Sequence, residues 1–237
     1  MTDKNLYKAV IFDLGGTLTR GAKWSDYADV ARKIASMLNA PTEEFVRLWF
    51  DQSEGLVTGA FPNWEAYISH VCRQLEVNVE DYQIKYAASL PFNLAREMIM
   101  VPRDDALDVL IELKSRDCKI GLISDCGPDV PEIWNETPLC GLVDVAIFSC
   151  SLGMNKADMR IFQSATKELV VQPEDCTYVA DGNRQELSNA AKLGMYAIRI
   201  LVPDEETDEN PLREKWDGHT ISSLTEVLKI VTPNVKE

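Results

Sequence analysis

The chain has 237 residues, of which 46% are hydrophobic, so it can form one sizeable domain or two small ones around a buried core. Its 38 acidic residues against 24 basic ones give a formal net charge of −14, which disfavours binding to nucleic acids and to anionic membranes. The same charge repels phosphorylated substrates. An enzyme acting on such substrates would therefore need a metal ion or a cluster of basic side chains inside its cleft.

Cysteine usage and targeting signals narrow the class of protein further. The six cysteines form no C-x-x-C pair and the chain has only two histidines, which argues against a zinc site. The first residues lack the basic-then-apolar pattern of a signal peptide, and no uninterrupted apolar stretch is long enough to cross a bilayer. We therefore expect a cytoplasmic protein without a membrane partner, either a monomer or a homodimer.

The first structural signal is the segment 8–17, which reads KAVIFDLGGT. Its apolar, β-branched run predicts a strand buried on both faces, and the run ends abruptly at Asp13. Ligands of open parallel sheets bind just beyond the carboxyl ends of the strands. Asp13 therefore stands where a nucleophile would.

The segment from residue 25 to residue 100 has helical periodicity and no convincing strand. Pro91 predicts a kink or a break in its last helix. We predict four helices at residues 25–38, 42–52, 63–75 and 81–100, whose first residues, Ser25, Thr42, Asn63 and Asp81, are types favoured at helix N-caps.

After residue 102 the pattern alternates between helix and strand, as in the βαβ units of a parallel sheet. We predict strands at 119–123, 143–148, 177–180 and 196–201, and helices at 104–116, 158–169 and 184–193. The fold expected is α/β, with a Rossmann-like, doubly wound parallel sheet core formed by residues 1–19 and 98–237. An all-helical domain of residues 20–97 would be inserted after the first strand, where it could act as a lid over the strand ends.

Polar residues follow the predicted strands at this same edge of the sheet: Asp13, Ser124, Lys156 and Asp181, with Glu186 five residues further on. Each alone has an ordinary explanation as a helix cap or a solvated charge. Together they supply the parts that phosphoryl transfer needs, namely a carboxylate nucleophile, oxygen ligands for Mg²⁺, and donors for the phosphoryl oxygens.

Four motifs in this order resemble those of the haloacid dehalogenase superfamily of hydrolases, in the subgroup with an α-helical C1-type cap. They read DLGGT at 13–17, LISD at 122–125, GMNK at 153–156 and VADGNRQE at 179–186, and the resemblance covers most of the chain. It implies a Mg²⁺-dependent phosphatase or phosphotransferase that acts through an aspartyl-phosphate on a small phosphorylated metabolite.

The resemblance also implies a role for each matching residue. Asp13 would be the nucleophile and a metal ligand, and the backbone carbonyl of Gly15 would be a second ligand. Asp181 and Glu186 would complete the metal site, Glu186 directly or through water. The substrate phosphate would be bound by Ser124, Asp125 and Lys156, of which Ser124 and Lys156 also count as catalytic.

Gly15 is the main departure from the family pattern. In phosphatases of this family the residue there is an aspartate that protonates the leaving oxygen and then activates water. General acid–base catalysis is worth about 10²–10⁴-fold, so alkyl phosphomonoesters should react slowly unless another group supplies the proton. A good leaving group, as in an anhydride or acyl phosphate, would remove that need. The candidate donors in the inserted helices are Lys23, Asp26, Tyr27, Glu54, Glu65 and His70.

Three other functions remain open. A phosphonate hydrolase would also have a small residue at Gly15, but it needs a lysine in the cap, and none occurs between Lys33 and Lys85. A 2-haloacid dehalogenase would attack carbon without a metal, which the acids at 181 and 186 disfavour. A binding or scaffold protein that has lost turnover is the third. Candidate substrate contacts in the inserted helices are Arg20, Trp24, Arg47, Trp49, Trp64 and Tyr67.

Overall fold

The computed structural model describes residues 7–203 and 212–231. Residues 1–6, 204–211 and 232–237 of the predicted α/β core therefore lie outside the described residues. Its elements in chain order are β1 (Ala9–Phe12), α1 (Trp24–Met37), α2 (Thr42–Asp51), α3 (Glu54–Val57), α4 (Trp64–Gln74), α5 (Asp81–Ile99), α6 (Ala106–Ser115), β2 (Lys119–Ser124), α7 (Asp129–Trp134), β3 (Val145–Phe148), α8 (Ser149–Leu152), α9 (Arg160–Leu169), β4 (Cys176–Ala180), α10 (Glu186–Lys192), β5 (Tyr196–Ile200), β6 (Thr220–Ile221) and α11 (Val227–Ile230). Within these ranges no helix is long and apolar enough to cross a membrane.

The six strands form one parallel sheet in the order β3-β2-β1-β4-β5-β6. The chain builds β2 and β3 on one side of β1 and then crosses to β4 on the other side. This reversal creates a cleft at the carboxyl ends of β1 and β4, where ligands of doubly wound sheets bind. The predicted fold class is confirmed, and the predicted strands are present with ends shifted by at most two residues. The prediction missed β6, α3, α7, α8 and α11, which are too short for a periodic pattern.

The central position of β1 explains why its sequence is apolar without alternation. Val10 and Phe12 pack on one face of the sheet in the cluster that contains the apolar side of α6. Ala9 and Ile11 pack on the other face with α9 and α10. All four residues are fully buried because helices cover both faces.

The helices between β1 and α6 build a hydrophobic cluster of their own. In this cluster, residues of α1, α2, α4 and α5 pack around Phe45, Trp49 and Tyr67. None of the buried residues of this cluster belongs to the clusters on the two faces of the sheet. This agrees with an inserted helical cap, whose exact boundaries at 20 and 97 stay a prediction. The expected break at Pro91 is wrong, because α5 continues through it and Pro91 is buried on the packed face of the helix.

The predicted first residue is right for α2 and α5 and differs by one residue for α1 and α4. Of the four residues favoured at N-caps, one caps its helix with its side chain. Asn63 caps α4, where its side chain accepts a hydrogen bond from the backbone of Ala66 at 2.8 Å. Ser25 lies inside α1, while Thr42 and Asp81 are the first residues of α2 and α5, whose N-caps are Pro41 and Glu80. In α1, for example, the backbone N–H of Lys23 donates to the Asp26 carboxylate at 2.9 Å, which satisfies the helix end without Ser25.

Candidate active site

A cavity of about 490 Å³ opens at the carboxyl ends of the central strands and faces the helical insertion. Its walls contain the predicted site residues Asp13, Gly15, Asp125, Lys156 and Asp181. Ser124 lines an adjoining cavity, and Glu186 is fully buried next to Lys156. The fold thus brings together residues that are up to 173 positions apart in the chain.

The ammonium group of Lys156 lies between two carboxylates. Lys156 is only 2% exposed, and its Nζ donates hydrogen bonds to Asp13 Oδ1 and, at 2.6 Å, to Glu186 Oε2. Burial lowers the pKa of Lys156, but the carboxylates of Asp13, Glu186 and Asp125 together raise it by more, so the net shift is upward. Lys156 is therefore charged throughout the neutral pH range.

Asp13 extends directly from the end of β1 and is held by two donors. Thr17 Oγ1 donates to Asp13 Oδ2 at 2.9 Å, and Lys156 holds the other oxygen. Burial and, to a smaller extent, Glu186 raise the pKa of Asp13 to about 6, against the opposing effect of Lys156. The carboxylate is mostly ionised at neutral pH, as a nucleophile must be.

Glu186 accepts four hydrogen bonds and has no solvent exposure. Its Oε1 accepts from the backbone N–H groups of Gly182 and Asn183 at 3.1 and 2.7 Å. Its Oε2 accepts from the Tyr178 hydroxyl and from Lys156, both at 2.6 Å. Glu186 therefore fixes the loop after β4 and positions Lys156.

Asp181 is the acid with the least compensated charge. The side-chain amide of Asn183 donates to its two oxygens at 2.8 and 2.9 Å, and the Arg213 guanidinium lies 3.4 Å away. Burial, with the nearby Glu186 and Asp13 carboxylates, raises the pKa of Asp181 to about 8. The charge on this carboxylate is thus unfavourable without a further cation.

The acidic cluster fits a divalent cation. One carboxylate oxygen from each of Asp13, Asp181 and Glu186 lies within 4.8 Å of the others. Hard oxygen ligands at this spacing suit Mg²⁺, and a cation would relieve the repulsion that raises the pKa of Asp181.

The Asp125 side chain supports the loop that contains Lys156, and the phosphate donors predicted for this segment are backbone amides. Its carboxylate accepts hydrogen bonds from the backbone N–H of Lys156 at 3.0 and 3.3 Å, and so helps to hold that loop. Burial raises the pKa of Asp125 to about 6 in spite of the nearby Lys156 ammonium. An anionic side chain turned to this loop does not suit a phosphate, so a role in phosphate binding would fall to the backbone amides of residues 125–127.

Basic side chains that the sequence analysis did not single out also line the cavity. Arg103 donates to the backbone carbonyls of Gly16 and Thr17, both at 2.9 Å, and so supports the loop after β1. Among the described lining residues, six are basic (Arg20, Lys23, Arg103, Lys156, Arg184 and Arg213) and three are acidic (Asp13, Asp125 and Asp181). This local excess reverses the sign of the net charge, which the overall composition required for a phosphorylated substrate. Arg184 could have been found from its place in the fourth motif, but Arg103 and Arg213 have no local signal.

The candidate proton donors and substrate contacts in the helical insertion divide into two groups. Lys23, Tyr27, Arg20 and Trp24 line the main cavity, and Trp49 and Trp64 line the adjoining one. The remaining candidates line neither cavity. Among the candidate proton donors, Asp26 contacts the start of α1, Glu54 contacts Asn155 and Arg184, Glu65 lies in a separate surface cleft, and His70 contacts the Phe61 ring. Among the candidate substrate contacts, Arg47 pairs with Asp51 and Tyr67 contacts the backbone of Trp49.

Comparison with known proteins identifies the family. The sequence model of the haloacid dehalogenase-like hydrolases matches residues 7–194 of the chain. The chain belongs to this family. It is thus a hydrolase built on the fold predicted from its motifs.

Individual relatives are distant in sequence. A glyceraldehyde 3-phosphate phosphatase of Methanocaldococcus jannaschii is 24% identical over an alignment that covers 95% of this chain and 97% of the relative. A 2-haloacid dehalogenase of Pseudomonas syringae pv. tomato has the same fold, with a TM-score of 0.69, 18% identity, and coverage of 95% and 98%. A phosphatase of the same superfamily from Thermococcus onnurineus superposes with a TM-score of 0.64, at 19% identity and with coverage of 95% and 98%.

The two adjacent glycines of the first motif should respond differently to alanine. Gly16 has φ +83°, and an added Cβ would lie 2.8 Å from Asp181 Oδ2, whereas a Cβ on Gly15 would meet only the Gly21 Cα, at 3.9 Å. We expect Gly16→Ala to lower the free energy of unfolding by about 1–3 kcal/mol and Gly15→Ala to change it by less than about 0.5 kcal/mol. Urea denaturation measures both. Equal losses in the two variants would contradict this account of the loop.

Proposed function

We propose that the protein is a Mg²⁺-dependent phosphatase that acts through an aspartyl-phosphate on a small phosphorylated metabolite. The observation that supports this most strongly is the acidic cluster of Asp13, Asp181 and Glu186 with the Lys156 ammonium in contact with two of its members. The names of curated relatives agree, since three of them are named glyceraldehyde 3-phosphate phosphatase. A cytoplasmic location and the oligomeric state remain predictions.

Asp13 would attack phosphorus with one carboxylate oxygen. The bond from phosphorus to the leaving oxygen breaks, and the leaving group takes that electron pair and later a proton. Lys156 and the Ser124 hydroxyl would bind the transferring oxygens, whose negative charge the basic lining offsets. Water then attacks phosphorus, loses a proton, and releases phosphate and the Asp13 carboxylate.

The metal would be held by Asp13, Asp181 and the backbone carbonyl of Gly15. Bound Mg²⁺ would neutralise charge between the acids and the anionic substrate. Glu186 already accepts four hydrogen bonds, so we assign it contact with the metal through water and the positioning of Lys156.

One observation supports phosphonate hydrolysis as a second candidate function. Lys23, from the start of the helical insertion, lines the same cavity as Asp13, where a Schiff base with a carbonyl-containing phosphonate would have to form. Treatment with borohydride in the presence of such a phosphonate would attach the substrate covalently to Lys23. Dehalogenation is less well supported, because the likeness to the dehalogenase concerns the fold alone and the acidic cluster suits a metal.

The nucleophile can be tested with Asp13→Asn. We expect wild-type protein to hydrolyse an activated aryl or acyl phosphate only with Mg²⁺, and the variant to lose about 10³-fold or more of that rate, since asparagine cannot attack phosphorus in this way. A phosphate-release assay with and without EDTA gives the result. Asp29→Asn, which removes an exposed carboxylate on α1, is the matched control. Activity that survives EDTA or Asp13→Asn would exclude the mechanism.

Asp181→Asn should separate stability from metal binding. Because the pKa of Asp181 is raised to about 8 in the folded chain, its contribution to stability without metal falls as the pH rises from about 4 to about 8. We therefore expect the metal-free variant at pH 8 to be as stable as wild type or more stable by about 1 kcal/mol. Mg²⁺ should raise the Tm of wild type and leave that of the variant unchanged. A marked destabilisation without metal would show that Asp181 is mainly structural.

Gly15→Asp should restore the missing proton donor. A Cβ at this position meets only ordinary contact distances, so the side chain can be accommodated. We expect hydrolysis of alkyl phosphomonoesters to rise by about 10²-fold, with a smaller effect on aryl phosphates, whose leaving groups need less protonation. Gly15→Asn has the same size without the acid and should give no rise. If both variants fold, bind Mg²⁺ and show equal rates, proton transfer at this position does not limit the reaction.

A further inference from the structure

A second, smaller cavity of about 220 Å³ adjoins the polar one. It lies between the helical insertion and the loop after β2, and its lining is mostly apolar. Gly15, Trp24, Tyr27 and Asp125 line both cavities. A substrate whose phosphate lies beside Asp13 can therefore extend its leaving group past Gly15 into the smaller cavity.

The lining of this apolar cavity includes a buried carboxylate without a matching partner. Asp129, at the start of α7, is 4% exposed, and its Oδ1 has no hydrogen-bond partner. The Trp64 indole N–H and the backbone N–H groups of Asp129 and Val130 lie close enough to lower the pKa of Asp129, but none of them forms a hydrogen bond of ordinary geometry with Oδ1. Burial outweighs this effect and raises the pKa to about 6. Buried carboxylates are normally paired with a cation, so one that has only neutral N–H groups near it, in a cavity wall, indicates a cation that comes with a ligand.

The described residues around the cavity provide no cation for Asp129. Arg184 is the one basic side chain among those that line it, and its guanidinium donates to Glu54 at 2.8 Å and approaches Asp125 at 3.7 Å. The carboxylate of Asp129 therefore has no counter-charge within the described part of the chain.

Aromatic rings form much of the remaining wall. Trp49 and Trp64 stack with ring centroids 5.3 Å apart, and Trp24 and Phe50 stack at 4.3 Å. The faces of aromatic rings, above all of tryptophan, attract organic cations. Aromatic walls around one unpaired carboxylate are the arrangement that recognises an alkylammonium group.

We propose that this aromatic cavity binds the leaving group of the substrate, and that this group is a small alkylammonium whose charge pairs with Asp129. The assignment rests on the proposed phosphatase function, since it places the phosphate beside Asp13. It accounts for the different chemistry of the two cavities. The larger one has an excess of basic residues, and the smaller one is aromatic, with two acids, Asp125 and Asp129, against one arginine. A neutral hydroxyl could accept the same position but would leave the buried charge uncompensated.

The experiment compares two ligands that differ in one atom, 2-aminoethyl phosphate and propyl phosphate. Isothermal titration calorimetry on Asp13→Asn with Mg²⁺ measures both affinities without turnover. We expect the ammonium ligand to bind about 10-fold or more tightly, a difference typical of a desolvated cation between aromatic rings and a carboxylate. Adding Asp129→Asn should remove this preference and leave the affinity for propyl phosphate nearly unchanged. Adding Glu132→Gln, which removes an exposed charge from the same helix, should preserve it.

The outcomes separate this inference from the proposed function. Equal affinities of the two ligands on Asp13→Asn overturn the inference, whether or not the second substitution folds. Equal affinities together with Mg²⁺-dependent hydrolysis of an aryl phosphate by wild type would leave the phosphatase function standing alone. An ammonium preference that depends on Asp129, without any hydrolysis, would support the binding site and contradict the proposed reaction.

Discussion

The buried ammonium group of Lys156 is the interaction on which the site depends. Three carboxylates whose charges raise its pKa, those of Asp13, Asp125 and Glu186, surround it in a region that is almost entirely excluded from water. Without this cation they would repel one another across a medium of low dielectric constant. Asp125 and Asn189 hold the backbone of Lys156, and Glu186 holds its side chain, so the position of the charge is fixed from several elements. The raised pKa of Asp181 shows that one lysine is not enough for the whole cluster, which is why a metal ion fits there.

Gly15 and Gly16 are neighbours, but they are glycines for different reasons. At Gly16 the left-handed backbone and the nearby Asp181 carboxylate exclude any side chain, so the residue is dictated by the structure. At Gly15 the backbone is ordinary and there is space. The loop therefore has room for a side chain at Gly15, and packing does not dictate the absence of an acid there.

The two adjoining cavities have different chemical linings. The larger one is basic and is lined by Asp13, while the smaller one is aromatic and is lined by the buried acid Asp129 together with Asp125 and Arg184. Their shared boundary runs past Gly15, where a side chain in related phosphatases would stand. A substrate with a phosphate at one end and a positive charge at the other would match both halves, and its charge distribution would be recognised along its length.

Local sequence determined the strand–helix alternation, the burial of β1 and the four motifs, because hydrophobic periodicity and the residue types at strand ends are local signals. It also identified Asp13, Lys156, Asp181 and Glu186, whose strands were predictable and whose carboxyl ends must meet in a parallel sheet. The course of α5 through Pro91 was decided by tertiary packing, because Pro91 is buried on the packed face of that helix. Only the tertiary structure brought Arg103 and Arg213 to the cavity, turned Asp125 towards the Lys156 backbone, and left Asp129 buried without a cation among the described residues. Each of these features depends on contacts between segments distant in the chain.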